Sequence, residues 1–362
     1  MKKVLILGGG RIGAAIAHNL MSDHAVTIAD LETSQLQHLT DSCQLVNCDV
    51  TDTSQLENLV TPFDVVVGAL PSRLGYNALK HLIQLRKPIV DISFFAEDAL
   101  TLKTLAQENQ VTALVDFGLA PGLSNLFAGH CHATFDPLDT FNCMVGGLPV
   151  ERTLPYQYKA PFAPLDVIEE YTRPARMRRA GADITLPALS EIERIHFDGV
   201  GDLEAFNTDG LRTLLQTIPV PNMAEKTIRY PGHVQLMQQL TDGGFFDSEH
   251  IEATAKVLLE HWQFKPQEAD LTVMHMEAHG QLNNEPHSLK WQLVDHYDHH
   301  KNISSMARTT GYTCAAGVRL LLQEKLPTGV VPPEIIGQNK VWFDFILQQL
   351  KNDGVVFQSS TA

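Results

Sequence analysis

The sequence predicts a protein of the α/β class, in which a doubly wound parallel sheet is joined to a second, α+β domain. Two observations support this prediction. Short apolar strands and helical stretches alternate over residues 1–120, which is typical of a parallel sheet with helices on both faces. After residue 124 the alternation gives way to longer strands and irregular loops, which indicates a second domain of different construction.

The chain opens with an apolar strand, a glycine-rich turn and a helical stretch. The turn, GGGRIG, fits the G-x-G-x-x-G pattern of a Rossmann dinucleotide site. We expect Gly8 to allow a tight turn, Gly10 to let the backbone approach a pyrophosphate, and Gly13 to let the helix pack against the sheet. The N-terminus of the helix would present free N–H groups to the phosphates. The predicted cofactor contacts at this turn are Gly8, Gly10, Arg11, Ile12 and Gly13.

An acidic residue follows this motif at the distance that a dinucleotide site requires. Asp30 ends the second strand, 17 residues after Gly13. A carboxylate at this position can accept hydrogen bonds from the ribose hydroxyls and would repel a 2′-phosphate, and no arginine follows it directly. The sequence therefore predicts NAD rather than NADP as the cofactor. A Rossmann-like turn that binds no cofactor is the alternative.

Two later strands add residues to the same predicted edge. The carboxyl ends of parallel strands face the cofactor in this fold. The strand FDVVVGAL ends at Ala69, Leu70 and Pro71, and the strand PIVDIS carries Asp91 and Ser93 at its end. We therefore add these five residues to the predicted cofactor site.

Composition excludes several classes of partner. The net charge of −15 argues against nucleic acid and anionic membranes as partners. Five scattered cysteines without a C-x-x-C pair indicate reduced thiols. The N-terminus enters a core strand without the pattern of a signal peptide, and no apolar run approaches the length of a membrane span. We expect a cytoplasmic protein.

The predicted domains are discontinuous. Residues 1–123 and about 305–362 form the dinucleotide-binding domain, and residues 124–304 form the α+β domain that binds substrate. In this second domain two strands around Asn283-Asn284 are expected to form a hairpin. The apolar helix Ser305–Gln323 is expected to return to the first domain. The segment after Gln323 has no pattern that places it.

Several segments, in order, resemble the saccharopine reductase and lysine 6-dehydrogenase family. They are DISFFAED, DFGLAPGLSN, VGGLP, EAFNTDGLRTLL, EKTIRYPGH and SMARTTGYTCA. The resemblance runs from Met1 to about Gln323, and within the group it is closest to lysine 6-dehydrogenase. It implies NAD-dependent oxidation of the ε-amine of L-lysine, to an aldehyde that cyclises to an imine. It also implies C-terminal helices that complete the first domain and a homodimer built through the second domain.

Such a reaction requires an anchor for the substrate carboxylate. Arginine suits this role because its planar guanidinium binds a carboxylate through two parallel hydrogen bonds. Arg212, Arg229 and Arg308 are the candidates, and Thr309 and Thr310 are candidate substrate contacts beside Arg308. Each arginine has an alternative role as a structural ion-pair partner, for example of Glu225 or Asp209, and the threonines could instead cap their helix.

The reaction also requires a base or a desolvating pocket that keeps the amine neutral. Asp116 is a candidate because it ends a strand beside the predicted nicotinamide site, and Tyr230 and His233 share the RYPGH loop. Asp116 could instead stabilise the turn at Pro121-Gly122.

Two other polar groups have simpler interpretations. His275 and His279 share one face of a strand with Glu277 between them, but no spacing brings three or four ligands together, so we predict no metal site. The arginine-rich run Arg173–Arg179 could bind a second substrate carboxylate, or it could be a solvated loop that balances nearby acids.

Three functions remain open at this point. The first is oxidation of L-lysine or a close amino acid, as the resemblance implies. The second is a saccharopine-type reductase, which joins glutamate reductively to an aldehyde with NAD(P)H. The third is a dinucleotide-binding sensor without catalysis.

Overall fold

A computed structural model describes residues 1–40, 42–160 and 164–361 and divides into two compact units. The first unit comprises Met1–His130 and Ala307–Gly354, and the second comprises Cys131–Met306 and Val355–Ala362. The boundaries at residues 130 and 306 fall inside two helices, Leu123–Thr134 and Ser305–Gln323.

The first unit is built on a parallel sheet of seven strands, and this confirms the predicted doubly wound fold. The strand order is β15-β6-β5-β4-β1-β2-β3, so the order reverses beside β1, between β1 and β4. The aliphatic run of the first strand is fully buried, as expected for a strand with both faces covered. The strands are Lys3–Leu7 (β1), Ala25–Asp30 (β2), Gln44–Asn47 (β3), Val65–Gly68 (β4), Ile89–Asp91 (β5), Thr112–Leu114 (β6) and Gly329–Val331 (β15).

Helices flank this sheet. They are Arg11–Leu20 (α1), Thr53–Val60 (α2), Ser72–Gln84 (α3), Lys103–Glu108 (α4), Leu123–Thr134 (α5), Ser305–Gln323 (α10), Pro333–Gly337 (α11) and Lys340–Asn352 (α12), with 3-10 turns at Ser34–Leu39 and Ala99–Leu102. The long helix α10 packs closely on α1, because a Cβ at Gly311 would lie 3.2 Å from Ala15 and Ile16. Arg319 of α10 also donates to Asn19 and Asp23 at the end of α1.

The segment after Gln323 adds one edge strand to the first sheet and one to the second sheet. Gly329–Val331 forms the edge strand beside β6, and α11 is fixed through Glu334, whose carboxylate accepts a hydrogen bond from Asn125 at 3.2 Å. The last strand, Gln358–Thr361 (β16), pairs with the second sheet instead. The sequence analysis assigned this strand to the first domain; the structure differs because β16 fills an antiparallel edge position there.

The second unit is built on a mixed sheet of nine strands. Its main path is β10-β11-β12-β7-β13-β14-β16, with β8 and β9 beside β12. The strands are Leu138–Pro149 (β7), Ala175–Arg179 (β8), Ala182–Leu186 (β9), Glu193–Phe197 (β10), Gly201–Asn207 (β11), Asn222–Arg229 (β12), Asp270–Leu282 (β13), Glu285–His296 (β14) and β16. The helices are Pro164–Thr172 (α6), Leu214–Thr217 (α7), His233–Asp242 (α8) and Ile251–Trp262 (α9).

The predicted hairpin of the second unit is present. Strands β13 and β14 pair along their whole length, from Leu271 opposite His296 to Leu282 opposite Glu285. Asn283 and Asn284 form the two-residue turn with φ of 55° and 65°. Asparagine tolerates this left-handed conformation, so the turn matches the right-handed twist of the strands.

The helices α6 and α9 of the second unit pack around one buried tryptophan. Trp262, at the end of α9, is fully buried, and the rings of Tyr156, Tyr158 and Tyr171 lie edge-on to its indole. Such edge-to-face contacts add to the burial of apolar area. This cluster brings α6 and α9 together and encloses the polar residues described below.

Two general findings concern the whole chain. All five cysteines are buried free thiols. Among the described residues, no helix is both long enough and apolar enough to cross a lipid bilayer.

The amino end of α12 provides a test of the first unit. Asn339 caps this helix, since its side-chain oxygen accepts hydrogen bonds from the N–H groups of Val341 and Trp342. We expect Asn339→Ala to lower the free energy of unfolding of this unit by about 1 kcal/mol. Asn339→Asp keeps the acceptor and serves as the control, with little change. Urea denaturation checks this; equal stability of both variants would show that the cap contributes nothing.

Candidate functional site

The glycine-rich turn at the carboxyl edge of the first sheet has the geometry of a phosphate-binding loop. Gly8 has φ of 102°, and a Cβ there would overlap the carbonyl oxygen of Ala69. A Cβ at Gly13 would overlap the carbonyl oxygen of Gly8. Gly10 differs from both, because a Cβ there would meet no atom within 4 Å. The turn is therefore packed on the sheet side and open at Gly10, where α1 begins.

Asp30 is held at the end of β2 by two backbone amides. Its Oδ2 accepts a hydrogen bond from the Gly9 N–H at 2.6 Å, and its Oδ1 accepts one from the Glu32 N–H at 3.1 Å. These bonds fix the carboxylate beside the glycine-rich turn. An open glycine before a helix N-terminus, with a fixed carboxylate beside it, fits a nicotinamide dinucleotide: the amides suit the pyrophosphate and Asp30 suits a ribose.

Asp91 and Ser93, at the end of β5, pack against the loop that follows β4 and form hydrogen bonds there. Both side chains are buried. Asp91 Oδ1 accepts a hydrogen bond from the Ser93 N–H at 2.8 Å, and Ser93 Oγ accepts one from the Leu70 N–H at 3.2 Å. Gly68 is required here, since a Cβ would overlap the Asp91 carboxylate. Asp91 and Ser93 thus position the loop of Ala69, Leu70 and Pro71, and direct contact of either with a cofactor stays a prediction.

Asp116 lies two residues beyond the end of β6, at the same edge. It is buried and has φ of 53°, a conformation that non-glycine residues adopt rarely. The amide of Phe117 donates to the Asp91 carbonyl at 3.0 Å, which ties this segment to β5. The Pro121-Gly122 turn is closed by backbone bonds, such as that from the Leu123 N–H to the Gly118 carbonyl.

Helix α10 brings Thr310 to this edge. A Cβ at Gly118 would lie 3.2 Å from the Thr310 methyl group. Thr309 is fully buried, and Arg308 is half-buried. Neither threonine caps the helix, because α10 begins at Ser305, where Asp270 accepts hydrogen bonds from the Ser305 and Met306 N–H groups.

In the second unit, Arg229 lies in a buried polar cluster. Its Nη2 donates to Glu170 Oε2 at 2.6 Å, and its guanidinium lies 4.3 Å from the centre of the Tyr158 ring. Its Nε donates to the Tyr171 hydroxyl at 3.3 Å. The predicted structural partners, Glu225 and Asp209, are not the ones found: the ion pair is with Glu170. The role of Arg229 as a carboxylate anchor stays a prediction.

His233 extends the same cluster. Its Nδ1 lies 2.8 Å from the Tyr156 carbonyl oxygen and so carries the proton, and its Nε2 accepts from the Tyr171 hydroxyl at 2.9 Å. Burial, followed by the nearby charge of Arg229, lowers the pKa of His233 to about 3. The imidazole is therefore neutral near pH 7, with both nitrogens engaged inside the unit.

Tyr230 and Arg212 lie outside this cluster. The Tyr230 hydroxyl donates to the Pro149 carbonyl at 2.9 Å, and burial raises its pKa, which makes it a poor base near neutral pH. Arg212 is half-buried with φ of 50°. The two residues that share the RYPGH loop, Tyr230 and His233, thus bond to different backbone carbonyls, and a proton relay between them stays a prediction.

The arginine-rich run is a strand whose side chains form ion pairs. It is β8 rather than a loop. Arg173, just before it, pairs with Glu169, and the remaining pairs are Arg176 with Asp209, Arg178 with Asp183 and Arg179 with Glu191. These contacts favour the interpretation in which the run balances acids.

The histidines of β13 surround one carboxylate. Glu277 lies 2.7 Å from His279 and 3.7 Å from His275, and Lys290 Nζ lies 2.9 Å from the carboxylate oxygen that His279 also contacts. Within the part of the chain that the structure describes, no group of three or more His, Cys, Asp or Glu side chains could hold a metal ion.

The sequence analysis missed Glu170, Tyr158 and Tyr171 as members of the polar cluster. They lie in segments that carry no family motif, and only the fold brings them to Arg229. It also did not identify Glu225 as a carboxyl group with a shifted pKa. Burial, together with the charge of Glu170, raises the pKa of Glu225 to about 8.

Family models match both parts of the chain. The model described as the saccharopine dehydrogenase NADP binding domain matches residues 4–114, and the model described as the saccharopine dehydrogenase C-terminal domain matches residues 118–355. The second match alone covers more than half of the chain. These matches confirm the resemblance found in the sequence.

Curated relatives agree with this match. A saccharopine dehydrogenase [NADP(+), L-glutamate-forming] of Pyricularia oryzae is 26% identical over 68% of this chain and 59% of its own length. The protein of the same name from Saccharomyces cerevisiae is 24% identical over 70% of this chain and 61% of its own. An alpha-aminoadipic semialdehyde synthase of Arabidopsis thaliana is 27% identical over 57% of this chain and 21% of its own. The chain thus spans less than two thirds of these relatives.

One solved structure has the same fold along the whole chain. It is the apo saccharopine dehydrogenase (L-Glu forming) of Saccharomyces cerevisiae, with a TM-score of 0.82, 20% identity and complete coverage of both chains. At this identity the likeness supports the two-domain fold and not a shared substrate.

Glu225 gives a pH-dependent test of the second unit. Its folded-state pKa of about 8 lies above the usual carboxyl value of 4.5, so the folded state holds a proton that the unfolded chain loses. Stability is therefore lost as pH rises from about 4.5 to about 8. We expect Glu225→Gln to melt at a higher temperature than the unaltered protein, by a margin that grows over this range.

The control is Glu260→Gln, which removes a glutamate carboxyl from an exposed position of α9, and the melting temperatures of the two variants are compared at each pH. Thermal melting followed by circular dichroism between pH 5 and 8 measures both variants. A margin for Glu225→Gln that is constant with pH would show that Glu225 ionises at an ordinary pH.

Proposed function

The chain belongs to the saccharopine dehydrogenase family, and from this premise we propose that it is an oxidoreductase acting on the C–N bond of an amino acid. The observation that carries the proposal is the pair of family matches, which together run from residue 4 to residue 355. The first of them falls on the unit whose edge fits a nicotinamide dinucleotide. When bound, such a cofactor accepts or supplies the hydride.

Of the reactions considered, we favour the saccharopine type. The relatives named above are saccharopine dehydrogenases and a semialdehyde synthase, which supports this reaction over the oxidation of L-lysine. In the direction of synthesis it joins glutamate reductively to an aldehyde, and in reverse it cleaves a secondary amine. Oxidation of L-lysine is the second candidate, because Asp30 favours NAD, the cofactor that the resemblance to lysine 6-dehydrogenase implies.

We propose NAD as the preferred cofactor, although the family model and the fungal relatives are named for NADP. The support is local. Both oxygens of Asp30 accept backbone hydrogen bonds beside the glycine-rich turn, so the carboxylate cannot turn away from a ribose without losing them. The next residues, Leu31 and Glu32, provide no cation for a 2′-phosphate.

We assign the roles of base and of substrate contact in this reaction to different residues. Asp116 is the favoured base, because it is the one candidate base that lies on the dinucleotide-binding unit, and its carboxyl lies in a buried, constrained segment. Arg212, Arg229, Arg308, Thr309 and Thr310 are proposed to bind the substrate. We also propose that the protein is cytoplasmic and that it forms a homodimer through the second unit.

The activity test uses saccharopine and L-lysine in separate reactions, each with NAD and with NADP, in alkaline buffer. Reduced nicotinamide is followed by its absorbance. We expect turnover with saccharopine and NAD. Turnover with L-lysine alone would replace the saccharopine-type reaction by the second candidate. Tight dinucleotide binding without turnover would favour the sensor.

A substitution at Asp30 tests the cofactor assignment. Asp30→Ser removes the carboxylate that would accept the ribose hydroxyls, and we expect it to weaken NAD binding about tenfold, which corresponds to about 1.4 kcal/mol. Affinity for NADP should rise, because the repulsion of the 2′-phosphate is lost.

Glu32→Gln is the control, since its carboxylate accepts from the Ser34 amide rather than from the glycine-rich turn. Both affinities are measured by fluorescence titration with the reduced cofactors. A preference for NADP in the unaltered protein would contradict the role of Asp30.

A further inference from the structure

The strongest polar contact of Arg229 is with a side chain of its own unit. The distance from Arg229 Nη2 to Glu170 Oε2 is 2.6 Å. The bonds to the Tyr171 and Tyr158 hydroxyls are longer, at 3.3 and 3.4 Å. A carboxylate is thus the closest group to this guanidinium, and its other hydrogen-bond partners are the Ile228 carbonyl, at 3.0 Å from Nη1, and the two tyrosine hydroxyls.

The charge balance of the cluster depends on that carboxylate. Burial raises the pKa values of Tyr158 and Tyr171, so both stay neutral. Glu225 holds its proton near pH 7, and His233 is neutral. Because a buried charge without a counter-charge is costly, Arg229 needs a carboxylate at this position.

The two members of the pair differ in exposure. The side chain of Arg229 is 4% exposed, whereas that of Glu170 is 26% exposed. Glu170 lies near the end of α6, a helix of nine residues. Solvent therefore reaches the pair from the side of Glu170, and a ligand that arrives by this route meets the glutamate before the arginine.

We propose that Glu170 occupies the place of a substrate carboxylate, and that a carboxylate ligand displaces it from Arg229. The ligand carboxylate takes over the hydrogen bond and the neutralising charge, and Glu170 moves toward solvent. Glu170 then competes with the substrate and sets its apparent affinity. The inference rests on the proposed function for the identity of the substrate, while the exchange itself requires only a carboxylate.

The inference is tested by binding rather than by turnover. Glutarate, a dicarboxylate without an amine, is titrated into the full chain by isothermal calorimetry. Removing an internal competitor raises the apparent affinity by the inverse of the fraction that was open. We expect Glu170→Gln to bind glutarate about tenfold more tightly than the unaltered protein.

Glu169→Gln is the matched control. It makes the same change of charge at the neighbouring position of α6, where the carboxylate pairs with the half-buried Arg173 and not with Arg229. Its affinity for glutarate should equal that of the unaltered protein. Adding Arg229→Gln to Glu170→Gln should abolish the gain. Glu170→Asp keeps the charge on a shorter side chain, so it should fold even if Glu170→Gln does not, with a smaller gain.

The outcomes separate the two proposals. Equal or weaker glutarate binding by both Glu170 variants would overturn the inference, as would a gain that survives the loss of Arg229. A gain in binding without turnover of saccharopine or L-lysine would uphold the exchange and reject the proposed function. Turnover without a gain would do the reverse.

Discussion

The close approach of backbone segments at the first glycine-rich turn is the constraint on which the dinucleotide site depends. A Cβ at Gly8 would overlap the carbonyl oxygen of Ala69, a Cβ at Gly13 would overlap that of Gly8, and a Cβ at Gly68 would overlap the Asp91 carboxylate. The first of these close approaches lies between the ends of β1 and β4, where the strand order reverses, and the third lies between the ends of β4 and β5. The loop of Leu70, the amides of α1 and the carboxylate of Asp30 are all placed from there. A single added methyl group would separate elements that must converge on one ligand.

The second unit is organised by a different principle, the neutralisation of one buried cation. Arg229 pairs with Glu170, and the charge of Glu170 also helps to raise the pKa of the buried Glu225, so the protonation of Glu225 depends on that of its neighbour. His233 and the two tyrosines are neutral and contribute hydrogen bonds to the cluster. Because the side chain of Arg229 is only 4% exposed, the exchange of one carboxylate for another changes the local energy more than it would at the surface.

The sequence predicted most of what depends on local pattern. The glycine-rich turn, the strand ends with Asp30 and Asp91, the Asn283-Asn284 turn and helix α10 are visible because periodicity and turn residues report local conformation. The polar cluster was not visible in full, because Tyr158 and Glu170 reach Arg229 across 71 and 59 residues of chain. The edge strands β15 and β16 were also missed, since three or four residues carry too little pattern to identify a strand.

The path of the chain bears on how the protein is made. The polypeptide passes between the units three times, near residues 130, 306 and 354. A ribosome releases the edge strand of the first sheet, β15, only after nearly all of the second unit has been synthesised. During synthesis the edge of β6 therefore stays unpaired until the second unit has left the ribosome and β15 is available. An unpaired strand edge is a site of aggregation, so nascent chains of this protein are candidates for protection by a chaperone until the last helices arrive.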